Sequence, residues 1–372
     1  MYKRNGPMNG VRVVEMAGLG PAPFSCMHLA DLGAEVVRVT RPGQLFPFPV
    51  EEKFNIYNRS RRTLELDLRN TEDQSSLLQL LERAEILIEG FRPGVMEKLG
   101  FGPDVVLGRN PGLVYGRMTG WGQTGPLAQA AGHDLNYAAL TGAIWSIGKA
   151  GSPPPVPLNV IADLAGGAMM LSVGVLAALT HARATGEGQV VDTAMTDGAA
   201  LMMAMQYGFL SAGLWNDSRR GSNFMNDGVA WYGCYETADG GYVALGSLEP
   251  QFFAEFLEKV GLPGDPTFGD QYAPAAQAEM KARLSDLFAS KTRAEWCALL
   301  EGTDACFAPV LTMAEAPRHP HNTARETFVD IDGVTQPAPA PRFSRSPADM
   351  PSAAGGPAMS VSEILEHWES SP

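Results

Sequence analysis

The first forty residues contain the pattern that most limits the fold of this chain. The β-branched run VRVVE at residues 11–15 predicts a strand, and a turn rich in glycine and proline follows it. The residues FSCMHLADLGA predict a helix with Gly33 near its end, and EVVRVT predicts a second strand. This strand–turn–helix–strand order implies a parallel sheet.

The turn after the first predicted strand fits a dinucleotide-binding loop badly. Gly18 and Gly20 are followed by prolines, and no third glycine arrives at the required spacing. Dinucleotide-binding folds have an acid after the second strand that binds a ribose hydroxyl, but this chain has Thr40 and Arg41 there. A cation there suits a phosphate, although a solvated arginine at a strand end explains the residue equally well.

The next part of the chain continues the alternation of strands and helices. Residues 58–70, NRSRRTLELDLRN, carry four arginines and predict a strand edged with positive charge. Arg92 and Lys98 extend this basic set, although surface charge explains any one of these residues. The other predicted elements are a helix at Ser75–Arg83, strands at Ile86–Glu89 and in LVYGRMTG, a buried helix that begins near Asp163, a strand in QVVDTAM and a helix in DGAALMMAMQYGFLSAG.

The character of the sequence changes near Gly221. A hairpin is expected at Tyr232–Ser247, followed by helices at Gln251–Val260, Gln277–Ser290 and Thr292–Glu301. The Pro-, Ala- and Ser-rich tail Gln336–Pro357 predicts an extended strap, and VSEILEHWE a closing helix. We expect an α/β chain: a large Rossmann-like domain at 1–190 completed by 335–372, a helical linker at 191–224, and a small α+β domain with a return strap at 225–334.

Length, net charge and cysteine spacing limit the classes of function that this chain can have. The 372 residues suffice for about two domains. The net charge of −13 argues against nucleic-acid binding, but local arginines still allow an anionic small ligand. Four cysteines without CxxC spacing predict reduced thiols. We find no signal core near the start and expect no apolar run long enough to cross a bilayer, which predicts a cytoplasmic protein without a membrane partner.

Two acids and a histidine are the candidate catalytic residues. The stretch AGHDLNYAALTG places His133 and Asp134 at the start of a predicted helix, where Asp134 serves as a cap near the N-terminus. The free N–H groups there could also receive a developing oxyanion beside His133. Asp163, in NVIADLAGG, also begins an apolar helix, and periodicity alone favours a capping role for it.

These blocks resemble family III CoA-transferases, the CaiB/BaiF-like family, and within it the α-methylacyl-CoA racemase branch. The resemblance runs from GVRVVEMAGLGPAPF through LIEGFRPGVMEKLG, AGHDLNYAALTG and GSLEPQFF to APRFSRSP. It implies that transferases use the acid at Asp163 to carry an acyl group, whereas racemases pair it with the histidine at His133. Glu249 is then implied to hydrogen-bond His133, either within the chain or from a partner subunit of an interlocked homodimer.

The resemblance also implies where CoA binds. Arg41 is the candidate for a phosphate contact, and Asn159 is expected near the thioester, with a structural role equally open. The backbone N–H of Asp134 is the candidate donor to an enolate oxygen. The remaining expected contacts, from the adenosine to the pantetheine, are Leu66, Asp67, Leu68, Arg69, Gly90, Phe91, Arg92, Lys98, Gly132, Leu135, Asn136 and Tyr137.

The methionines leave two interpretations open. Four of them lie on one segment, where they either pack in the core or form a flexible apolar surface that contacts acyl chains: Met195, Met202, Met203 and Met205.

The expected function is racemisation of 2-methylacyl-CoA thioesters through an enolate, with no metal or separate cofactor. The alternatives are a CoA-transferase with Asp163 as acyl carrier and a catalytically silent acyl-CoA-binding protein. A histidine and a carboxyl group on opposite faces of an enolate would invert the α-carbon, because one removes a proton and the other returns one.

Overall fold

A computed structural model describes residues 5–43, 50–356 and 358–370. The strands are β1 (Arg12–Met16), β2 (Glu35–Thr40), β3 (Arg62–Glu65), β4 (Ile86–Glu89), β5 (Val114–Thr119), β6 (Val190–Ala194), β7 (Tyr232–Glu236), β8 (Tyr242–Gly246), β9 (Phe307–Val310), β10 (Phe328–Ile331) and β11 (Val334–Pro337). The α-helices are α1 (Pro21–Asp31), α2 (Thr71–Leu81), α3 (Val95–Lys98), α4 (Pro103–Arg109), α5 (Asp134–Ala139), α6 (Ala143–Ser146), α7 (Met170–Thr185), α8 (Met195–Met202), α9 (Ala204–Ser211), α10 (Pro250–Lys259), α11 (Gln277–Phe288), α12 (Arg293–Leu300), α13 (Pro320–Ala324) and α14 (Val361–Ser370).

The chain forms two compact units. The first comprises Met1–Ala143, Val156–Ala204 and Arg325–Pro372, and the second comprises Ile144–Pro155 and Met205–Ala324. These limits differ from the expected ones in three places. Residues 325–334, expected in the small domain, belong to the first unit. The expected linker at 191–224 is divided between the units after Ala204, and Ile144–Pro155 belongs with the second unit.

The first unit is built on the expected parallel sheet. Its six strands have the order β3-β2-β1-β4-β5-β6, and Val14 lies between Val37 and Leu87. The order reverses between β1 and β4, because β2 lies on one side of β1 and β4 on the other. Loops that leave neighbouring strands in opposite directions open a crevice at such a point, at the carboxyl ends of the strands.

Two helices of this unit begin earlier than the sequence predicted. Helix α1 begins at Pro21, because proline tolerates the first helical position, where its missing N–H has no partner to lose. Helix α2 begins at Thr71, because the Asn70 side chain accepts the Glu72 N–H at 2.9 Å and caps it. The single helix expected in residues 197–213 is divided at Met203 into α8 and α9.

The helix that carries Asp163 begins as a π-helix, Val160–Met169, and continues into α7. The whole of Val160–Thr185 is long and apolar enough, by length and composition alone, to cross a membrane. The expectation that no such run exists is therefore wrong, because only two charged residues, Asp163 and Arg183, interrupt these 26 residues. Within the first unit, Leu171 and Val175 pack over Gly116 of β5, and the Ser172 hydroxyl lies 2.9 Å from that of Ser25 on α1. This is the packing of a core helix.

The second unit contains the expected hairpin and three helices. Strands β7 and β8 are antiparallel, and β9, which the sequence did not predict, pairs with the other edge of β8. Helices α10, α11 and α12 confirm the three predicted helices within a few residues. Phe256, Phe288 and Trp296 are buried in its core. The four cysteines of the chain are free thiols, as their spacing predicted.

The C-terminal region returns to the first unit. Residues 338–356 contain neither helix nor strand, as expected for a strap, and Pro357 lies outside the described residues. The Ser60 N–H donates to the Ser352 carbonyl at 3.1 Å, and the Asn5 N–H to Asp349 at 2.6 Å. The predicted helix α14 is present, with Ile364 and Trp368 buried in the same core cluster as α2.

Candidate active site

A cavity of about 620 Å³ opens at the carboxyl end of the parallel sheet. Its walls are the loops that follow β1, β4 and β5, together with the N-termini of α5 and of the π-helix. All of its lining residues belong to the first compact unit. The crevice expected from the reversal of strand order is thus the place where His133, Asp163 and Asn159 meet.

Asp163 lies in the first turn of the π-helix and faces this cavity. The Asn159 amide lies 3.4 Å from its Oδ2. Burial raises the pKa of Asp163, and the charge of Asp134 raises it further, while Asn159 and His133 oppose the shift. A carboxyl group with a raised pKa is better suited to give and take protons near neutral pH than an exposed aspartate.

Gly20 leaves room for that carboxyl group. It precedes α1 with a φ of 70°, and a Cβ at this position would lie 3.4 Å from Asp163 Oδ2. Any other residue here would be strained in its backbone, and its Cβ would be in van der Waals contact with Asp163.

Asp134 caps a different helix from the one that the sequence suggested. His133 is the N-cap residue of α5, and Asp134 is its first helical residue. The Asp134 side chain is 4% exposed, and its Oδ1 accepts the N–H groups of Ala162 and Asp163, each at 2.7 Å. Sequence spacing cannot reveal this, because donors and acceptor are 28 and 29 residues apart. The carboxylate fixes the start of the helix that carries Asp163.

His133 is exposed and lines the cavity beside Asp163. Its backbone N–H donates to Asn136 Oδ1 at 3.0 Å, which closes the first turn of α5. Leu135 and Asn136, both expected near the pantetheine, are exposed but do not line the cavity.

Tyr137 forms one wall of the site. Its hydroxyl donates to the Gly132 carbonyl, and its ring meets the Trp121 ring edge-on at 4.7 Å. Burial raises the pKa of Tyr137, and the charge of Asp163 adds to the shift. A Cβ on Gly120 would lie 2.0 Å from the Tyr137 ring, so the glycine is needed for this packing.

Sequence reasoning missed several residues of the cavity. Tyr57 lies beside the Asn159 amide. Burial raises the pKa of Tyr57, and the contact with Asn159 opposes this shift. Trp121 follows β5 in the GWGQTGP loop, and Arg38 and Asn55 also line the cavity. No local pattern marks Tyr57 or Asn55. Tyr57 lies in the short 3₁₀ turn Ile56–Asn58 and Asn55 directly precedes it, and only the fold brings this segment to the sheet edge.

A second cavity, of about 490 Å³, contains most of the residues predicted to bind the nucleotide end of CoA. Phe91 lines both cavities, and Gly90 and Arg92 line the first. Lys98 lines neither, although Val95 and Leu99 beside it line the second. The predicted residues in the second cavity are Arg41, Leu66, Asp67, Leu68, Arg69 and Phe91.

Arg69 is held by a neighbour in this structure. Its Nε and Nη2 donate to Asp67 at 2.9 and 2.7 Å. This pairing lowers the pKa of Asp67 to about 2. The Arg69 side chain is 80% exposed, so the pair lies at the mouth of the cavity rather than inside it.

Glu249 belongs to the second compact unit, where it is the exposed N-cap residue of α10. Its contact with His133 therefore stays a prediction. The four methionines divide between environments: Met195 is buried and lines the first cavity, Met203 is partly buried, and Met202 and Met205 are each 44% exposed.

Residues 8–360 match the CoA-transferase family III. The chain belongs to this family. It is 44% identical over 364 residues to the alpha-methylacyl-CoA racemase of Mus musculus and 41% identical over 364 residues to that of Homo sapiens. Each alignment covers 97% of this chain and 93% of the relative. Among solved structures of the family, a CaiB/BaiF family protein from Brucella suis superposes with a TM-score of 0.83 at 26% identity, covering 98% of this chain and all of that one.

Proposed function

We propose that this family III chain racemises 2-methylacyl-CoA thioesters by moving the α-proton through an enolate. The observation that carries the proposal is the meeting of His133 and Asp163 in one cavity, with the pKa of Asp163 raised by burial. The identity to two alpha-methylacyl-CoA racemases supports it.

The chemistry follows from these two groups. One of them removes the proton α to the thioester carbonyl and the other returns a proton to the opposite face, which inverts the carbon. The ordinary pKa of a histidine side chain lies near neutrality, and burial raises the pKa of an aspartate towards that range. The Asp134 N–H has no acceptor among the described residues and lies in the first turn of α5, where it can donate to the enolate oxygen. Each positioned acid or base is worth about 10²- to 10⁴-fold in rate.

The second cavity supports a site for the nucleotide end of CoA. Arg41 and Arg69 would face its phosphates, and the chain of lining residues through Phe91 would lead the pantetheine to His133. CoA enters as part of the substrate, and we propose that the reaction needs no metal or redox cofactor. We further propose a cytoplasmic homodimer in which Glu249 orients His133.

Deuterium exchange tests the proposal. A 2-methylacyl-CoA incubated with the protein in heavy water should take up deuterium at the α-carbon without any second substrate. His133→Ala and Asp163→Ala should each lower the rate by about 10²- to 10⁴-fold. His181→Ala is a matched control, because His181 is exposed on α7 outside both cavities.

Two other results would contradict racemisation. An acyl adduct on Asp163 that hydroxylamine traps, with turnover only when an acceptor acid is present, would indicate a CoA-transferase. Binding of the ester without α-proton exchange would indicate a silent acyl-CoA-binding protein.

A further inference from the structure

The first cavity has a polar end that the proposed proton transfer does not use. Arg38 lines it from β2, and Asn55 lines it from the position between the two 3₁₀ turns that precede β3. The rest of the wall nearby is mostly apolar, with Leu19, Pro21 and Pro23 among its residues. The groups that act on the pKa of Asp163 are Asn159, Asp134 and His133, whereas Glu15, Arg61 and Glu52 act on Arg38.

The Arg38 guanidinium is attracted to Glu15 but forms no hydrogen bond with it. Within the part of the chain that the structure describes it makes no hydrogen bond and no ion pair, and its Nε is fully buried. Desolvation of an unpaired charge is costly, so proteins pair buried charges or use them for binding.

The buried carboxylate that acts most strongly on Arg38, Glu15, is shared with Arg61, and its Oε1 is buried without a hydrogen-bond partner. Its Oε2 contacts Arg61 Nη1, and Glu15 and Arg61 are 0% and 5% exposed. The other carboxylate that acts on Arg38, Glu52, is exposed, so solvent screens its charge. Two arginines thus share one buried carboxylate, which leaves a net positive charge in this part of the structure.

Asn55 adds a second unused polar group. It is 9% exposed and lines the cavity, yet its side-chain amide makes no hydrogen bond to any described residue. Its neighbour Asn58, by contrast, is fully engaged, since it donates to Glu52 and accepts from Arg61. The polar atoms of Asn55 are open to the cavity that Arg38 also lines, so a ligand there can take the place of water on the amide.

We propose that Arg38 and Asn55 form a subsite for a carboxylate at the far end of the acyl group. Building on the proposed racemisation, this names the preferred substrates as CoA monothioesters of 2-methyl dicarboxylic acids. A guanidinium offers two parallel donors that match a carboxylate, and the Asn55 amide can supply a third. A plain alkyl chain would leave both groups desolvated and unpaired.

The test compares two esters that differ only at the far end. One is the CoA thioester of a 2-methyl dicarboxylic acid, and the other is its terminal methyl ester, each prepared over a series of chain lengths. At the best length, the parent protein should favour the free carboxylate by about 10- to 100-fold in kcat/KM for α-proton exchange. Arg38→Met should bring this ratio close to one, and Arg38→Lys should give an intermediate ratio. Arg109→Met, at an exposed arginine outside both cavities, should leave the ratio unchanged.

Asn55→Asp keeps the test decisive if Arg38→Met does not fold. The added negative charge should lower the preference for the free carboxylate at least tenfold. A parent ratio near one at every chain length, or a ratio that neither Arg38 nor Asn55 variants alter, overturns the subsite. If no ester exchanges its α-proton, the proposed racemisation fails instead. The dissociation constants of the two esters, measured by calorimetry on the parent and Asn55→Asp, then decide the subsite separately.

Discussion

The carboxylate of Asp134 holds the backbone of Asp163. Its Oδ1 lies 2.7 Å from the Asp163 nitrogen and 2.7 Å from that of Ala162. The first turn of α5, which follows His133, is thereby tied directly to the first turn of the π-helix. The two groups proposed to exchange protons with the substrate are positioned by one buried side chain.

Replacing Asp134 should loosen this connection. Asp134→Ala leaves two buried N–H groups without an acceptor, and we expect a loss of about 2 kcal/mol in the free energy of unfolding. Asp134→Asn keeps an acceptor oxygen and should lose less. Urea unfolding measures the difference, and kcat should fall in parallel because Asp163 is displaced. Equal stability of Asp134→Ala and the parent would show that this cap is unimportant.

Gly20→Ala should impair exchange more than it impairs folding. The backbone angles of Gly20, φ 70° and ψ −121°, are ones that L residues rarely adopt, so Gly20→Ala must shift this turn, and its new methyl group would be in van der Waals contact with Asp163 Oδ2. Gly240→Ala is the matched control, since φ is 74° there and no described atom lies within 4 Å of the new Cβ. Both variants should lose similar stability in thermal unfolding, but Gly20→Ala alone should slow deuterium uptake. Equal uptake by the two would contradict the close approach.

Stability should depend on pH through Asp163. Its pKa is raised in the folded state from an ordinary value of 3.8, so folding disfavours the charged form. Well below pH 3.8 the acid is protonated in both states, and its ionisation does not affect stability. As pH rises above 3.8 the unfolded chain ionises first, and the destabilisation grows until the folded pKa is passed. The melting temperature of Asp163→Asn relative to the parent should therefore increase with pH from 4.5 upward, and a difference that is constant with pH would refute the raised pKa.

Arg41→Ala should weaken binding more than turnover. Arg41 lines the second cavity, away from the proposed proton-transfer groups in the first. Loss of one charge-assisted contact to a phosphate should raise KM for the CoA ester about tenfold, with a smaller change in kcat at saturation. Arg109→Ala, at a surface arginine paired with Glu82, serves as the control. An unchanged KM would mean that the nucleotide lies elsewhere.

Local sequence patterns were sufficient for much of the sheet. The strand predicted at Ile86–Glu89 has the observed bounds, because a short apolar β-branched run between polar turns has few alternatives. Helix starts were less certain: α1 and α2 begin at Pro21 and Thr71, where a proline and the Asn70 cap extend the helix beyond its apolar pattern. The third strand of the small sheet, β9, was missed because FAPV contains a proline and is short.

The sequence alone determined the alternation of strands and helices and, through its resemblance to a family, the two groups His133 and Asp163. Only the tertiary structure decided that Asp134 caps the helix of Asp163, that Phe91 joins two cavities, and that Arg38 and Asn55 line the first of them. The reason is physical: strand and helix preferences act between near neighbours along the chain. Burial, the pairing of charges and the shift of a pKa depend instead on distances between residues that the chain brings together from far apart.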